Sequence, residues 1–373
     1  NKQIKVQFTT RGGHINQIQL KDYRGSDSQW VRLGGAAQDG LTYPVKTGAD
    51  RTAMTDALHF AFLDSGRTAD GISFIRFRLT GSDATTYIDH RFQLPAEGYL
   101  ISQSISVNGV ERLVDDRTLR TQWDYTALKQ EQDLTFEKQN TQVGYIENGE
   151  FDYHTIGQSS DRKWEGSVEW IGIRQRFFLG ALIAPTKFSK GEIAWTDTST
   201  TNVAQATAGM LLPLNNQGVA ELQYYYGPSD FHTLKKYDLG LENIVNLGQG
   251  VYAFVRPLNR YVILPIYEFF RGLSGANLGL AILLLTLFIR LLISPLTYTS
   301  YLSGAKMKAL RPEIAKLKEK FGDDRQGMSM EQMKLFREAG VNPLGGCIPA
   351  LLQIPIFFAL FSFFNSEVTL RGA

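Results

Sequence analysis

The sequence predicts a chain of two unlike halves, an all-β domain followed by an α-helical membrane region. Residues 1–250 alternate apolar and polar side chains over short runs that end at glycine-rich turns. Two later segments, Asn277–Tyr298 and Leu344–Phe364, are 22 and 21 residues of mostly apolar character. The chain has 373 residues, enough for several domains, and its 39 Lys+Arg against 37 Asp+Glu give no global charge that would favour nucleic-acid recognition.

The alternation in the first half begins at the N-terminus, where polar residues separate Ile4, Val6 and Phe8. The dipeptide Asn108-Gly109 ends another alternating run and is typical of a type I′ hairpin turn, because both residues tolerate a positive φ. No helical run of 12 residues is found before about residue 234. Many short strands with tight turns predict a β-sandwich domain over residues 1–240.

The β domain contains no recognised catalytic or metal-binding motif. Its 5 histidines are scattered, without the H-x-x-H or H-E-x-x-H spacing of zinc sites, and G-x-S-x-G, P-loop and dinucleotide fingerprints are absent. The single cysteine, Cys347, excludes an internal disulfide framework and a cysteine-rich metal site. We therefore expect no catalytic residue, metal or cofactor. A cleft in the sandwich that binds a sugar or a peptide stays open as an alternative.

The two apolar segments have the length of membrane spans. About 20 helical residues cross the ~30 Å hydrocarbon layer, which predicts transmembrane helices at 276–298 and 344–365. Residues 299–341, between them, contain 9 basic and 6 acidic residues, so the positive-inside rule places this segment in the cytoplasm. Residues 1–250 then lie in the periplasm of a bacterial inner-membrane protein. Because the sequence opens at Asn1 without an export signal, we also expect an anchor upstream.

An amphipathic segment precedes the first span. Residues 250–272 combine aromatic and aliphatic residues with Arg256, Arg260 and Arg271, and Pro265 interrupts the run. The charges would be costly in the bilayer core, so we expect an interfacial helix rather than a third span.

The basic segment between the spans predicts a helical hairpin with a turn at residues 322–324. Apolar residues of its first helix are spaced 3-4-3-4, as in a coiled-coil seam. In its second helix we expect a capping box that starts at Ser329 and inward-facing Met330, Met333 and Phe336. Hairpin packing is the main expected role of this stripe, and a docking surface for apolar segments or for the ribosome is the second. The candidate docking residues are Met307, Leu310, Met330 and Met333.

Arg290 is the one charged residue of the first span. It lies ~20 Å along the helix from Asn277, within the hydrocarbon, where a charge costs ~2.5–3.5 kcal/mol. Neither span contains an Asp or Glu to neutralise it. Snorkelling to the cytoplasmic interface is one interpretation. We favour the other, a water-filled groove in which Arg290 attracts carboxylates of a passing chain. Gln353, in the middle of the other span, either lines the same groove or hydrogen-bonds a neighbouring helix.

Several motifs of the helical half resemble the YidC membrane protein insertase family. The matching runs are Phe288–Thr297, Lys306–Asp324, Asn342–Pro349 and Gln353–Phe357. Their order and spacing match over residues 245–373, whereas residues 1–240 match in architecture only.

The resemblance implies a Gram-negative insertase and chaperone with a periplasmic β-super-sandwich and five core membrane helices, of which this chain contains the first two. It implies that Arg290 lies in a hydrophilic groove open to cytoplasm and lipid, and that the hairpin at 300–340 is needed for function. No enzymatic chemistry is expected. The expected partners are nascent membrane proteins, the ribosome, the Sec translocon and membrane lipids.

A rival hypothesis is a membrane-anchored periplasmic protein that binds or modifies carbohydrate with its β-sandwich. Deletion of residues 1–240 separates the two, because an insertase should largely keep its activity and a carbohydrate-active protein should lose it. A solute transporter is disfavoured, since one intramembrane charge and no internal repeat are present.

Overall fold

A computed structural model describes residues 1–48, 51–81, 83, 85–157, 160–275, 277–322, 324–340 and 348–371. The chain forms two compact units, Asn1–Val245 and Asn246–Ala373. The first is β-rich and the second is helical, as the two sequence patterns predict.

The first unit, which we call the β unit, consists of short strands joined by turns. In chain order its strands are β1 (Ile4–Thr9), β2 (His14–Arg24), β3 (Trp30–Leu33), β4 (Gly40–Thr42), β5 (Pro44–Gly48), β6 (Arg51–Met54), β7 (Ala61–Arg67), β8 (Ser73–Thr80), β9 (Tyr87–Leu94), β10 (Leu100–Asn108), β11 (Thr118–Leu128), β12 (Thr141–Glu147), β13 (Glu150–Thr155), β14 (Asp161–Trp164), β15 (Val168–Gln175), β16 (Phe178–Phe188), β17 (Gly191–Thr196), β18 (Asn202–Pro213) and β19 (Val219–Pro228). Its helices are α1 (Val110–Leu113), α2 (Leu134–Gln139) and α3 (Phe231–Lys235), with 3-10 turns at Thr55–Ala57 and Leu241–Ile244.

Two large antiparallel sheets dominate the β unit. Nine strands pair in the order β13-β12-β15-β16-β19-β10-β9-β8-β7, and five pair in the order β14-β17-β18-β11-β4. The three-stranded β1-β2-β3 and the β5-β6 hairpin form two smaller sheets. Every strand pair of these sheets is antiparallel, which agrees with the alternating sequence pattern.

The predicted hairpin turn at Asn108-Gly109 is wrong. Gly109 does adopt a positive φ of 77°, but it is the N-cap residue of α1 rather than the centre of a two-residue turn. The strands on either side belong to different sheets, β10 to the nine-stranded sheet and β11 to the five-stranded one. The left-handed residue therefore starts a crossover between sheets, which local sequence does not reveal.

The two large sheets pack face to face through aromatic side chains. Tyr125 of β11 lies 6.2 Å, centroid to centroid, from Tyr226 of β19, and its hydroxyl donates to Gln175 Oε1 at 3.3 Å. Gly180 of β16 makes the contact possible, because a Cβ at that position would lie 2.8 Å from the Tyr125 ring. The interface thus has the layered core of a β-sandwich.

A buried histidine fixes the N-terminal segment on the nine-stranded sheet. His90 of β9 lies 2.7 Å from the Gly13 carbonyl through Nδ1 and 2.6 Å from the Tyr43 hydroxyl through Nε2. A carbonyl can only accept, so Nδ1 bears the proton and Nε2 accepts from Tyr43. The Phe60 ring stacks on the imidazole at 4.6 Å. Burial lowers the pKa of His90 to about 4, so the neutral ring is the stable form.

Protonation of His90 is therefore expected to destabilise the β unit in acid. Its pKa falls from 6.5 to about 4 on folding, so between these pH values only the unfolded chain binds the proton. The neutral His90 therefore stabilises the folded state fully above pH 6.5. As the pH falls from 6.5 to 4, the free energy of unfolding should decrease by about 3 kcal/mol. Denaturant unfolding followed by tryptophan fluorescence measures it, because all 5 tryptophans precede residue 246.

The matched variants are His90→Gln, which should lose this part of the pH dependence, and His59→Gln, at an exposed position, which should keep it. An equally steep loss of stability in His90→Gln would contradict the assignment.

In the second unit, which we call the membrane unit, every regular element among the described residues is a helix. It opens with a 3-10 helix at Gly250–Val255 and closes with a 3-10 turn at Val368–Leu370. The helices between them are α4 (Arg256–Leu258), a π-helical turn (Asn259–Ile263), α5 (Leu264–Ser274), α6 (Leu278–Ala309), α7 (Arg311–Phe321), α8 (Arg325–Glu338) and α9 (Ile348–Ser366).

The predicted interfacial segment is helical on both sides of Pro265. The π turn precedes this proline, and the Leu264 N–H donates to the Asn259 carbonyl five residues back. Proline lacks an N–H and clashes with a carbonyl four residues earlier, and it is tolerated in the first turn of α5. The widened turn thus lets the helical path continue where the sequence predicts an interruption.

Helix α6 contains the first predicted span. Residues Leu278–Pro295 are long and apolar enough to cross a membrane, and among the described residues no other helix meets that test. The Asn277 side chain caps the helix by accepting from the Leu280 N–H at 3.0 Å. The second predicted span, 344–365, begins outside the described residues, and the shorter apolar stretch Gln353–Ser366 of α9 overlaps its second half.

The hairpin differs from its prediction in two ways. Helix α8 begins at Arg325, because Asp324 Oδ1 accepts from the Gly327 N–H at 2.9 Å, so the capping box at Ser329 is not used. Met330 and Met333 are 68% and 57% exposed rather than inward-facing. The residues of α8 that turn inward are Met328, Leu335 and Phe336. These three residues lie at i, i+7 and i+8, on one face of the helix.

Candidate functional site

Arg290 lies on an exposed face of α6, within the span Leu278–Pro295. Among the described residues no carboxylate is within ion-pairing distance of its guanidinium. The charge is therefore held in an apolar helix without compensation from the described part of the membrane unit.

Three hydroxyl residues share this face, at i−4, i+4 and i+7 from Arg290. They are Thr286, Ser294 and Thr297. The Thr286 hydroxyl donates to the Ile282 carbonyl at 2.8 Å, and the Thr297 hydroxyl donates to the Ile293 carbonyl at 2.9 Å. Each threonine thus satisfies its donor on its own helix, which makes a polar residue tolerable in lipid. We call Thr286, Arg290, Ser294 and Thr297 the polar stripe of α6.

Our sequence reasoning missed the three hydroxyl residues of the polar stripe. The signal was present, because a helical spacing of polar residues inside an otherwise apolar run puts them on one face. Threonine and serine are common in membrane helices, however, and spacing alone does not say whether that face is buried.

The side of α6 that faces away from Arg290 is buried and anchors the helix. Ala281, Leu285 and Ile289 follow each other at i, i+4 and i+8 and are buried. The Phe288 ring also packs edge-on against Phe270 of α5, with centroids 6.1 Å apart. Because these contacts fix the rotation of α6, they also fix the direction in which the polar stripe points.

Gln353 lies on an exposed face of α9. Residues of α6 and α9 contact each other, but among the described residues no hydrogen bond joins Gln353 to Arg290. The structure thus places both side chains on open helix faces of one unit. A shared groove formed by the two remains a prediction.

The four candidate docking residues do not form one packed stripe. Met307 and Leu310 are half-buried at the end of α6, whereas Met330 and Met333 are exposed on α8. A groove of about 150 Å³ lies between α7 and α8, with Leu317 and Leu335 among its lining residues. The two methionines of α8 therefore point away from the hairpin seam and are accessible.

Each of the two units matches the model of a known protein family. The family described as "YidC periplasmic domain" matches residues 1–261, and the one described as "60Kd inner membrane protein" matches residues 269–373. The chain belongs to the YidC family. Of the run Asn342–Pro349 that suggested this family, the part up to Cys347 lies outside the residues that the structure describes.

Curated relatives agree with this assignment. A "Membrane protein insertase YidC" of Amoebophilus asiaticus is 31% identical over 100% of this chain and 63% of its own length. That of Porphyromonas gingivalis strain W83 is 29% identical over 100% of this chain and 61% of its own length. The chain thus spans about three fifths of these relatives. Their names denote insertases rather than enzymes and give no support to the carbohydrate-active alternative.

Solved structures add no functional information. An α-N-acetylgalactosaminidase from Bifidobacterium bifidum covers 69% of this chain and 41% of its own, with a TM-score of 0.44 and 10% identity. A likeness of this size does not bear on what the β unit binds.

Proposed function

We propose that this protein is an insertase and chaperone of the bacterial inner membrane that passes client segments through a hydrophilic groove containing Arg290. The observation that supports this most directly is the uncompensated guanidinium on an exposed face of α6, next to three hydroxyl residues. A charge at such depth is costly unless water or a passing anion reaches it. Membership of the YidC family supports the insertase activity, and the polar stripe supports a hydrophilic path for the client segment along α6.

In this mechanism Arg290 lowers the cost of bringing a polar flank into the membrane. A carboxylate of the client is attracted to the guanidinium, which shortens the apolar distance that the flank must cross. The client's apolar helix then partitions into lipid, which contributes about 0.3–0.6 kcal/mol for each central Leu, Ile, Phe or Val. Gln353 and the polar stripe would offer hydrogen bonds to client backbone that has not yet become helical.

The charge of Arg290 is testable by substitution. In proteoliposomes, Arg290→Ala should slow insertion of a single-span client with an acidic tail by about tenfold, the equivalent of ~1.4 kcal/mol in the barrier. That loss is well below the ~4 kcal/mol that two opposite charges gain at 4 Å near a protein surface. Protease protection of the client's tail measures the rate.

Two matched controls separate charge from shape. Arg290→Lys should insert the acidic client nearly as well as the unaltered protein if charge is what matters. A client whose tail carboxylates are replaced by amides should respond little to either substitution. If Arg290→Ala matches the unaltered protein for every client, the electrostatic mechanism is wrong.

We further propose a multi-pass topology in the inner membrane. Residues 1–240 form the periplasmic domain, 250–272 lie at the interface, 276–298 and 344–365 cross the membrane, and 299–341 face the cytoplasm. The 9 basic residues of the last segment support this orientation.

Cysteine labelling in spheroplasts tests the topology. On a Cys347→Ala background, Asn216→Cys in an exposed turn of the β unit should react with a membrane-impermeant maleimide added outside. Ser329→Cys, exposed on α8, should react only after the membrane is disrupted. Labelling of Ser329→Cys in intact spheroplasts would invert the proposed orientation.

The exposed methionines of α8 are proposed to contact partners on the cytoplasmic side. Met330 and Met333 are flexible, polarisable side chains in a basic segment, which suits apolar segments of nascent membrane proteins or a surface of the ribosome. Because the chain belongs to the YidC family, we also propose that it cooperates with the Sec translocon and contacts membrane lipids.

Site-specific crosslinking tests this surface. A photoreactive residue at Met330 or Met333 should crosslink to a ribosome-bound nascent membrane protein or to a ribosomal protein, because both positions are open. The same residue at Met328, on the inner face of α8, is the control and should give at least severalfold less product. Equal yields at Met328 and Met330, or no product at either, would contradict a docking role.

A further inference from the structure

Helix α5 presents two unlike faces. Leu264 and Tyr267 are buried, as is Ile263 just before the helix, whereas Phe269 and Leu273 are exposed. The buried face packs within the membrane unit, where α5 makes extensive contact with α6. One face of this interfacial helix is thus fixed to the membrane helices while the other is free to face lipid.

Tyr267 joins the buried face of α5 to the end of α9. Its ring packs edge-on against Phe363 with centroids 5.0 Å apart, and its hydroxyl oxygen lies 2.9 Å from Thr369 Oγ1. Thr369 Oγ1 in turn lies 2.6 Å from Glu367 Oε1 and donates to it, because a carboxylate only accepts. The one hydroxyl proton of Thr369 is therefore used, so Tyr267 must donate to Thr369.

The last acceptor in this series of hydrogen bonds is the buried carboxylate of Glu367. Glu367 follows the last residue of α9, and its N–H donates to the Phe363 carbonyl at 2.9 Å. Its side chain caps the closing 3-10 turn by accepting from the Thr369 N–H at 3.2 Å. Hydrogen bonds to an ionised acceptor are stronger than neutral ones. We call Tyr267, Thr369 and Glu367 the clasp.

The π turn before α5 anchors the other end of the same buried face. Asn259 is buried there, and its Nδ2 donates to the Leu247 carbonyl at 2.9 Å. The i→i+5 turn also places Asn259 and Leu264 one above the other, so Asn259, Leu264 and Tyr267 align along one side. Both ends of the helix are therefore held by polar contacts as well as by packing.

We propose that the clasp is a positioning element of the insertase, in which the interfacial helix sets the tilt of α9 and so the place of Gln353 beside the polar stripe. Gln353 lies 14 residues from Glu367, ~21 Å along the helix. A small rotation about the clasped end thus becomes a large displacement at Gln353. This inference rests on the proposed insertase function, and it makes Tyr267 and Thr369 positioning residues that do not touch the client.

Isosteric substitutions test the clasp. Tyr267→Phe removes one hydrogen bond of the clasp and should slow insertion of the acidic client by about three- to tenfold. Thr369→Val keeps the volume but removes both the acceptor for Tyr267 and the donor to Glu367, so it should slow insertion at least as much. The double variant should be no slower than Thr369→Val alone, because that substitution already removes the bond that Tyr267→Phe removes. Thr369→Ser, which retains the hydroxyl, should insert at the unaltered rate.

A distance measurement between α5 and α9 distinguishes a change in helix position from a general loss of structure. Nitroxides on the exposed residues Leu273 of α5 and Phe361 of α9 should show a broader distance distribution in Thr369→Val than in Thr369→Ser, with unchanged helical content. Unaltered insertion in Thr369→Val, equal loss in Thr369→Ser, or no broadening would each overturn the clasp. If Arg290→Ala slows insertion in the same assay and the clasp variants do not, only the clasp fails. If Arg290→Ala is also without effect, the groove mechanism itself fails.

Discussion

The membrane unit depends on keeping one guanidinium inside an apolar helix. A charge at the centre of a span costs ~2.5–3.5 kcal/mol on insertion scales, and the described residues offer Arg290 no carboxylate in return. The rest of α6 is consistent with this constraint. Its buried face, through Ala281, Leu285 and Ile289, fixes the rotation of the helix. The polar stripe lies away from that face, and its two threonines already donate to their own helix.

The two units are stabilised by different means. The β unit buries its aromatic side chains between its own sheets, as Tyr125 and Tyr226 show, and it fixes its N-terminal segment through a neutral buried histidine. The membrane unit leaves large side chains such as Leu287 and Leu291 exposed. In lipid such exposure has no cost, so packing is needed only where position matters, as at Tyr267 and Phe363.

Local patterns failed where two solutions were equally compatible with the sequence. Asn108-Gly109 fits a hairpin turn and also the start of α1, and only the partners of β10 and β11 decide between them. Helix α8 has two apolar stripes, and the one that faces inward includes Met328 and Leu335, which leaves Met330 and Met333 exposed. Sequence periodicity describes one element at a time, whereas these choices depend on neighbouring elements.

The sequence by itself determined the β-rich and helical halves, the first apolar span and the unusual position of Arg290, because alternation, apolar length and an isolated charge are properties of contiguous residues. Tertiary structure decided which strands share a sheet, which face of α6 is open, and that Tyr267 meets Thr369 across 102 positions of the chain. Such contacts join residues with no local relation, so they emerge only when the helices and sheets pack against one another.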